Sequence, residues 1–115
     1  MKTIATYERR TFLKDHPPVI QRMLLHSTGA ELDLIAGTVL GTKDGKCGEF
    51  VSGAEAQGIL VEDTTIPAAG DVYALVYVHA SVITAELTWG NGVTATEQQT
   101  ALTALRGKGI YASEA

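Results

Sequence analysis

Between residues 34 and 83 the chain alternates short apolar, β-branched runs with breaks rich in glycine, proline and acidic residues. That rhythm predicts several short strands. The run 34-LIAGTVLG-41 closes on Gly41, and in 43-KDGK-46 an Asp-Gly pair between extended segments predicts a hairpin. The return strand is 47-CGEFVSG-53, and 57-QGILVED-63 predicts another, stopped by Asp63 and by Pro67 with Gly70. The strongest strand signal is 72-VYALVYVHASVI-83, dense in Val, Tyr and Ile. Val72, Ala74, Val76 and Val78 share one parity and Tyr73, Leu75 and Tyr77 the other. Both sides are apolar, so this strand is expected to be covered on both faces.

The period changes after Trp89. Gly90-Asn91-Gly92 marks a turn, and a helix is predicted from about Thr94 to Arg106. Thr94 with Glu97 three residues on fits a capping box. Ala101, Leu102 and Leu105 form one narrow apolar stripe, Gly107 and Gly109 stop the helix, and 110-IYA-112 returns as a short strand. Residues 1–33 show neither period. His16-Pro17-Pro18 forces extended backbone there. Tyr7, Phe12, Leu13, Val19 and Ile20 nevertheless make this stretch more apolar than a solvated tail. The reading is mainly β: a small β-rich single domain of short strands plus one C-terminal helix, residues 34–115, preceded by an extended N-terminal arm, residues 1–33, that orders by lying on something.

A length of 115 residues with 45% apolar content allows one domain with a modest core, for which a neighbouring subunit is a usual support. The net charge of −4 argues against nonspecific nucleic-acid binding, which needs a positive field. Its distribution is uneven. Residues 1–26 hold five basic against two acidic side chains, +3, and the remainder four against eleven, −7. A basic arm thus leads into an acidic body, a pattern of interaction tails and equally of solvated termini. Cys47 is the single cysteine, so no intrachain disulfide forms. Neither a secretory h-region nor an apolar run long enough to span a bilayer is present, so the expectation is a soluble protein used without export or membrane.

Candidate chemistry is thin. His16, His26 and His79 have no zinc spacing with each other or with Cys47, and all three read as structural. Cys47 lacks a sequence sign of a base and reads as a small hydrophobe. Glu62 and Asp63 are neighbours on an extended segment and point to opposite faces, so Asp63 reads as a turn initiator. Neither GxGxxG nor GxxxxGK[ST] occurs, and Lys46 reads as an exposed turn lysine. No catalytic residue, metal ligand or cofactor site is assigned, which leaves binding.

The strings 37-GTVLG-41, 57-QGILVEDTT-65, 72-VYALVYVHASVITAELTW-89 and 93-VTATEQQTALTALRGKGIYA-112, in that order, resemble the lambda-type phage head decoration proteins. Val82, Glu86, Leu87, Thr88 and Trp89, then Leu105, Gly109 and Ile110, carry the likeness over about residues 36–112. The resemblance implies a non-enzymatic protein that sits as trimers outside an expanded icosahedral head, at threefold and quasi-threefold positions, and cements it against packaged DNA. Its partners would be the major capsid protein and itself, and its place the virion surface, with host cytoplasm before assembly. On that reading Tyr7, Arg9, Arg10, Phe12, Leu13, Lys14, Val19 and Ile20 form the capsid-binding arm. Trp89, Tyr77 and Leu87 belong to the core or a trimer seam. The alternatives are a β-barrel adaptor that uses its basic arm to hold a protein, a small hydrolase using Glu62, Asp63 or His79, and a phage tail or scaffold component.

Overall fold

The longest strand organises the chain. A computed structural model describes residues 18–90 and 92–113. In order along the chain it contains β1 (Val19–Leu25), β2 (Leu32–Leu34), β3 (Val39–Lys43), β4 (Lys46–Glu49), β5 (Glu55–Leu60), β6 (Thr64–Ile66) and β7 (Val72–Ile83). A 3₁₀ turn (Thr84–Glu86), helix α1 (Ala95–Lys108) and β8 (Ile110–Ser113) follow. The 12 residues of β7 pair antiparallel with β1 and with β5, and their last four pair parallel with β8. The main sheet runs β1-β7-β5-β3-β4, and β2 and β6 make a separate two-stranded ribbon. The fold is mainly β with one C-terminal helix, as its hydrophobic patterning predicts.

The two ends of this five-strand path meet. His26 N donates to Cys47 O at 2.8 Å, and Cys47 N donates to His26 Nδ1 at 3.1 Å. The sheet therefore curls into a partly closed barrel. Neighbouring residues then serve opposite sides of it. Val39, Ile59 and Tyr77 belong to one core with Leu105, Ala101 and Ile110, under the helix. Leu40, Leu60 and Val76 belong to the other, with Leu25 of β1 and with Leu34 and Ile66 of the ribbon. Strand alternation converts an apolar run into two packed faces here.

The hairpin between β3 and β4 forms where Asp-Gly places it, with Asp44 at φ 54° and Gly45 at φ 78°, both in the left-handed region that a two-residue turn needs. The capping box also forms. Glu97 N–H donates to Thr94 Oγ1, and Thr94 N–H donates to Glu97 Oε1. A Ser52 hydroxyl on the β4–β5 connection donates to the same carboxylate. That hydroxyl first, and the Thr94 amide next, hold the Glu97 carboxyl below its ordinary range.

Several expectations need correction. The run 34–41 is two strands, because Gly37 at φ 92° turns the chain between β2 and β3. The strands read as 47–53 and 57–63 end at Glu49 and Leu60. The Thr64–Ile66 strand falls where a break was read, since its partner is the distant β2. Gly107 is helical, and Gly109, at φ 103°, is the cap. No strand was read before residue 34, yet β1 and β2 are both there and both paired. Coverage of β7 on both faces holds at Val76 and Tyr77 but not at its start, where Tyr73 and Leu75 are exposed.

Two measurements check these contacts. A Cβ at Gly58 in β5 would stand 2.5 Å from Val76 Cγ1 and 2.7 Å from the Tyr77 carbonyl oxygen on β7. Gly58→Ala is therefore expected to cost about 1–3 kcal/mol, read from the denaturant midpoint. The Glu97 contribution is full above the ordinary glutamate range and is lost as pH falls through its depressed folded-state value. Thermal unfolding of the parent chain is expected to fall more steeply with acid than that of Glu97→Gln; equal slopes would remove the carboxylate from the account.

Candidate functional site

The uncovered end of β7 is the most distinctive surface. The β1–β7 register sets Ile20 opposite Tyr77, Arg22 opposite Leu75 and Leu24 opposite Tyr73, so all six share one sheet face. Tyr77 is buried under the helix-side core. Beyond it cover ends: Ile20 is 44% exposed, Leu75 36% and Tyr73 59%. The Arg22 guanidinium lies 4.6 Å from the centre of the Tyr73 ring, a cation–π contact that stiffens the patch without hiding it. Past the end of β5, Val61 N donates to Leu75 O, and Glu62, Asp63 and Thr64 complete the rim of a shallow hollow shared with Arg22, Tyr73 and Leu75. Clustered exposed apolar groups rimmed by charge mark an interaction surface more often than chance exposure does.

A second hollow, of about 240 Å3, opens at the barrel seam and is lined by His26, Leu32, Lys43, Cys47, Glu49 and Ile66 among others. Burial pushes the Cys47 thiol above its ordinary range, outweighing the Thr42 side-chain contact that lowers it. Its Sγ lies 3.5 Å from Met23 Sδ, and His26 already spends Nδ1 on the Cys47 amide. A thiol held protonated beside a thioether is a poor nucleophile. The other candidates are scattered. Asp63 Oδ1 accepts from Ala36 N at 2.9 Å and so joins the β5 exit to the β2–β3 turn, which is its structural duty. His79 lies inside β7, edge-on to Tyr111 at 6.3 Å between ring centres. Gly109 packs on that imidazole so closely that a Cβ would stand 2.4 Å from His79 Cδ2. Among the described residues, no three His, Cys, Asp or Glu side chains are grouped to hold a metal ion. Among them also, no helix is long and apolar enough to cross a membrane.

Of the residues assigned to the arm, Tyr7, Arg9, Arg10, Phe12, Leu13 and Lys14 lie outside the described residues, as does His16. Val19 and Ile20 are exposed on β1, paired along this chain's own sheet. Tyr77 and Leu87 are buried in the helix-side core. Trp89 is half-buried against that core, with its ring edge-to-face on Phe50 at 5.7 Å and 82°. Sequence reasoning missed the open patch itself. Charge counting places Arg22 only in the basic N-terminal stretch, and the pattern of β7 expects Tyr73 and Leu75 to be covered. The one available signal was the register partner of β7, which a strand pattern alone does not supply.

The geometry therefore defines a structural or binding domain: a rigid β framework, a thiol engaged in packing, and an apolar face fringed with both signs of charge. Comparison with known families agrees. The model of the family described as bacteriophage lambda head decoration protein D matches residues 21–110, and the chain belongs to that family. Head decoration proteins are structural proteins of the virion capsid, not an enzyme family. No individual curated protein matches the chain. The family match begins inside β1 and ends at Ile110, the first residue of β8, so it covers both cores but not residues 1–20.

The thiol environment is testable. Cys47 is expected to react with iodoacetamide at mildly alkaline pH more slowly than a free thiol does, and to reach the free rate in denaturant. A native rate equal to the denatured one would contradict its burial.

Proposed function

We propose that this chain is a cement protein that binds the outside of the expanded phage head as trimers, at threefold and quasi-threefold positions. There it holds neighbouring major capsid protein subunits together against the pressure of packaged DNA. The family match over residues 21–110 is the observation that carries this reading. The domain supplies a stiff body, and the N-terminal stretch supplies reach. Arg9, Arg10 and Lys14 give a basic approach to acidic capsid surface, setting register and encounter rate more than affinity. Phe12, Leu13 and Val19 give the apolar area. At about 25 cal/mol per Å2, two or three such side chains contribute several kcal/mol before ordering costs are subtracted.

Clamping follows from multiplicity. One trimer touching several capsid subunits makes their separation break many contacts together, so modest individual affinities add to a strong lattice. No bond is made or broken in the protein's work, and the acidic body has no attraction for the packaged nucleic acid.

Purified chain mixed with expanded empty heads and imaged by electron cryomicroscopy is expected to add density at threefold and quasi-threefold positions, and the decorated heads to survive heating that opens bare ones. Heads that stay bare at saturating protein overturn the reading. Deleting residues 2–17, which leaves β1 whole, is expected to abolish head binding while the circular dichroism spectrum keeps its β character. Unchanged affinity after the deletion would remove the arm from the mechanism.

A further inference from the structure

The open face of β1 and β7 carries its charges in an order that points to an occupant. Strand order places Arg22 on β1, Tyr73 and Leu75 on β7, and Glu62 just past the end of β5. The patch thus has a cation on one flank, an apolar middle and a carboxylate on the other flank, all lining one hollow. Among the described residues neither charge meets an opposite one. Arg22 rests on the Tyr73 ring, and the ion pair found among the described residues is Lys108 with Glu55, at 3.5 Å. Asp63, by contrast, is committed to the Ala36 amide.

A surface with opposite signs on its two flanks matches another copy of itself turned about an axis. Around a threefold axis the cation flank of each copy meets the carboxylate flank of the next, and the three apolar middles gather along the axis as a dry seam. Such a head-to-tail contact is heterologous, and it closes into a ring when the rotation allows. A partner of single sign would satisfy one flank and be repelled by the other. The charge pairing also answers a real cost: each copy carries a net charge of −4, so copies repel at long range unless opposite charges are set against each other locally.

From this complementarity we propose that the β1–β7 face is the contact between copies of this chain, with Arg22 of one copy paired to the partner's Glu62 over a seam formed by Ile20, Tyr73 and Leu75. The inference rests on the trimeric decoration reading and deepens it by naming the face that makes the trimer. It also separates two surfaces: this face, with Ile20, joins copies, and residues 1–19 are left for the shell.

The test is a charge-swap cycle on the full chain, with mass measured by light scattering from micromolar to millimolar concentration. Wild type is expected to be a trimer. Arg22→Glu and Glu62→Arg, each alone, are expected to raise the concentration needed for assembly about ten-fold or more, and the double swap to restore it. Leu75→Arg is expected to give a monomer. All three substitutions are at the surface, so the melting temperatures of the four variants at low concentration are expected to stay within about 4 °C of one another. Single swaps that assemble as wild type does, a double swap that fails to recover, or a wild type that stays monomeric throughout would each overturn the assignment. Head imaging is scored separately. Wild type that decorates heads while the single swaps remain trimeric condemns this face and leaves the decoration reading standing. Heads left bare by wild type condemn the decoration reading, whatever the swaps do.

Discussion

The structure depends on one constraint, that β7 cannot keep two apolar sides in water. Val76 and Tyr77 are adjacent and both fully buried, yet they belong to different cores. Everything else is arranged to make that possible. Helix α1, with Ala101 and Leu105, closes one side, and the β2–β6 ribbon with Leu25 closes the other. A chain of this size has little surplus with which to cover a strand twice. The barrel seam at His26 and Cys47 is what lets one five-strand path provide an inside as well as an outside.

Cover runs out at the start of β7, and that shortage gives the protein its surface. The helix reaches Tyr77 and goes no further, so Tyr73 and Leu75, on the same side, remain in solvent beside Ile20. Arg22 shields one ring face without supplying a partner of its own kind. An apolar area left open by the geometry of a small core is the usual origin of an assembly surface. His26 spends its Nδ1 on the barrel seam, Asp63 fixes the turn before β3, and the Cys47 thiol packs beside Met23.

Membership of the head decoration family accords with this division of labour. A protein that works by contact needs a body that does not deform and surfaces that meet more than one neighbour. The capping box tied to Ser52, the edge-to-face packing of Phe50 on Trp89 and the tight passage of Gly58 under β7 all stiffen the body. The match begins at residue 21, so the family pattern describes the body, while most of the basic stretch lies before it.

Local chemistry was legible wherever a signal is short-range. Asp44-Gly45 set the hairpin, Thr94 and Glu97 set the helix start, and the twelve residues of β7 were bounded correctly, because each depends only on neighbours in sequence. The order of motifs also sufficed to indicate the family. What the sequence left open depends on partners far along the chain. Val19–Leu25 is a strand because β7 offers it an edge, and Thr64–Ile66 because β2 does; neither has a local pattern strong enough to declare itself. The exposure of Tyr73 and Leu75 is of the same kind: parity shows that they share a side with Tyr77, but only the reach of helix α1 decides where that side stops being covered. Backbone preferences are written residue by residue, whereas cover is a property of the assembled layers.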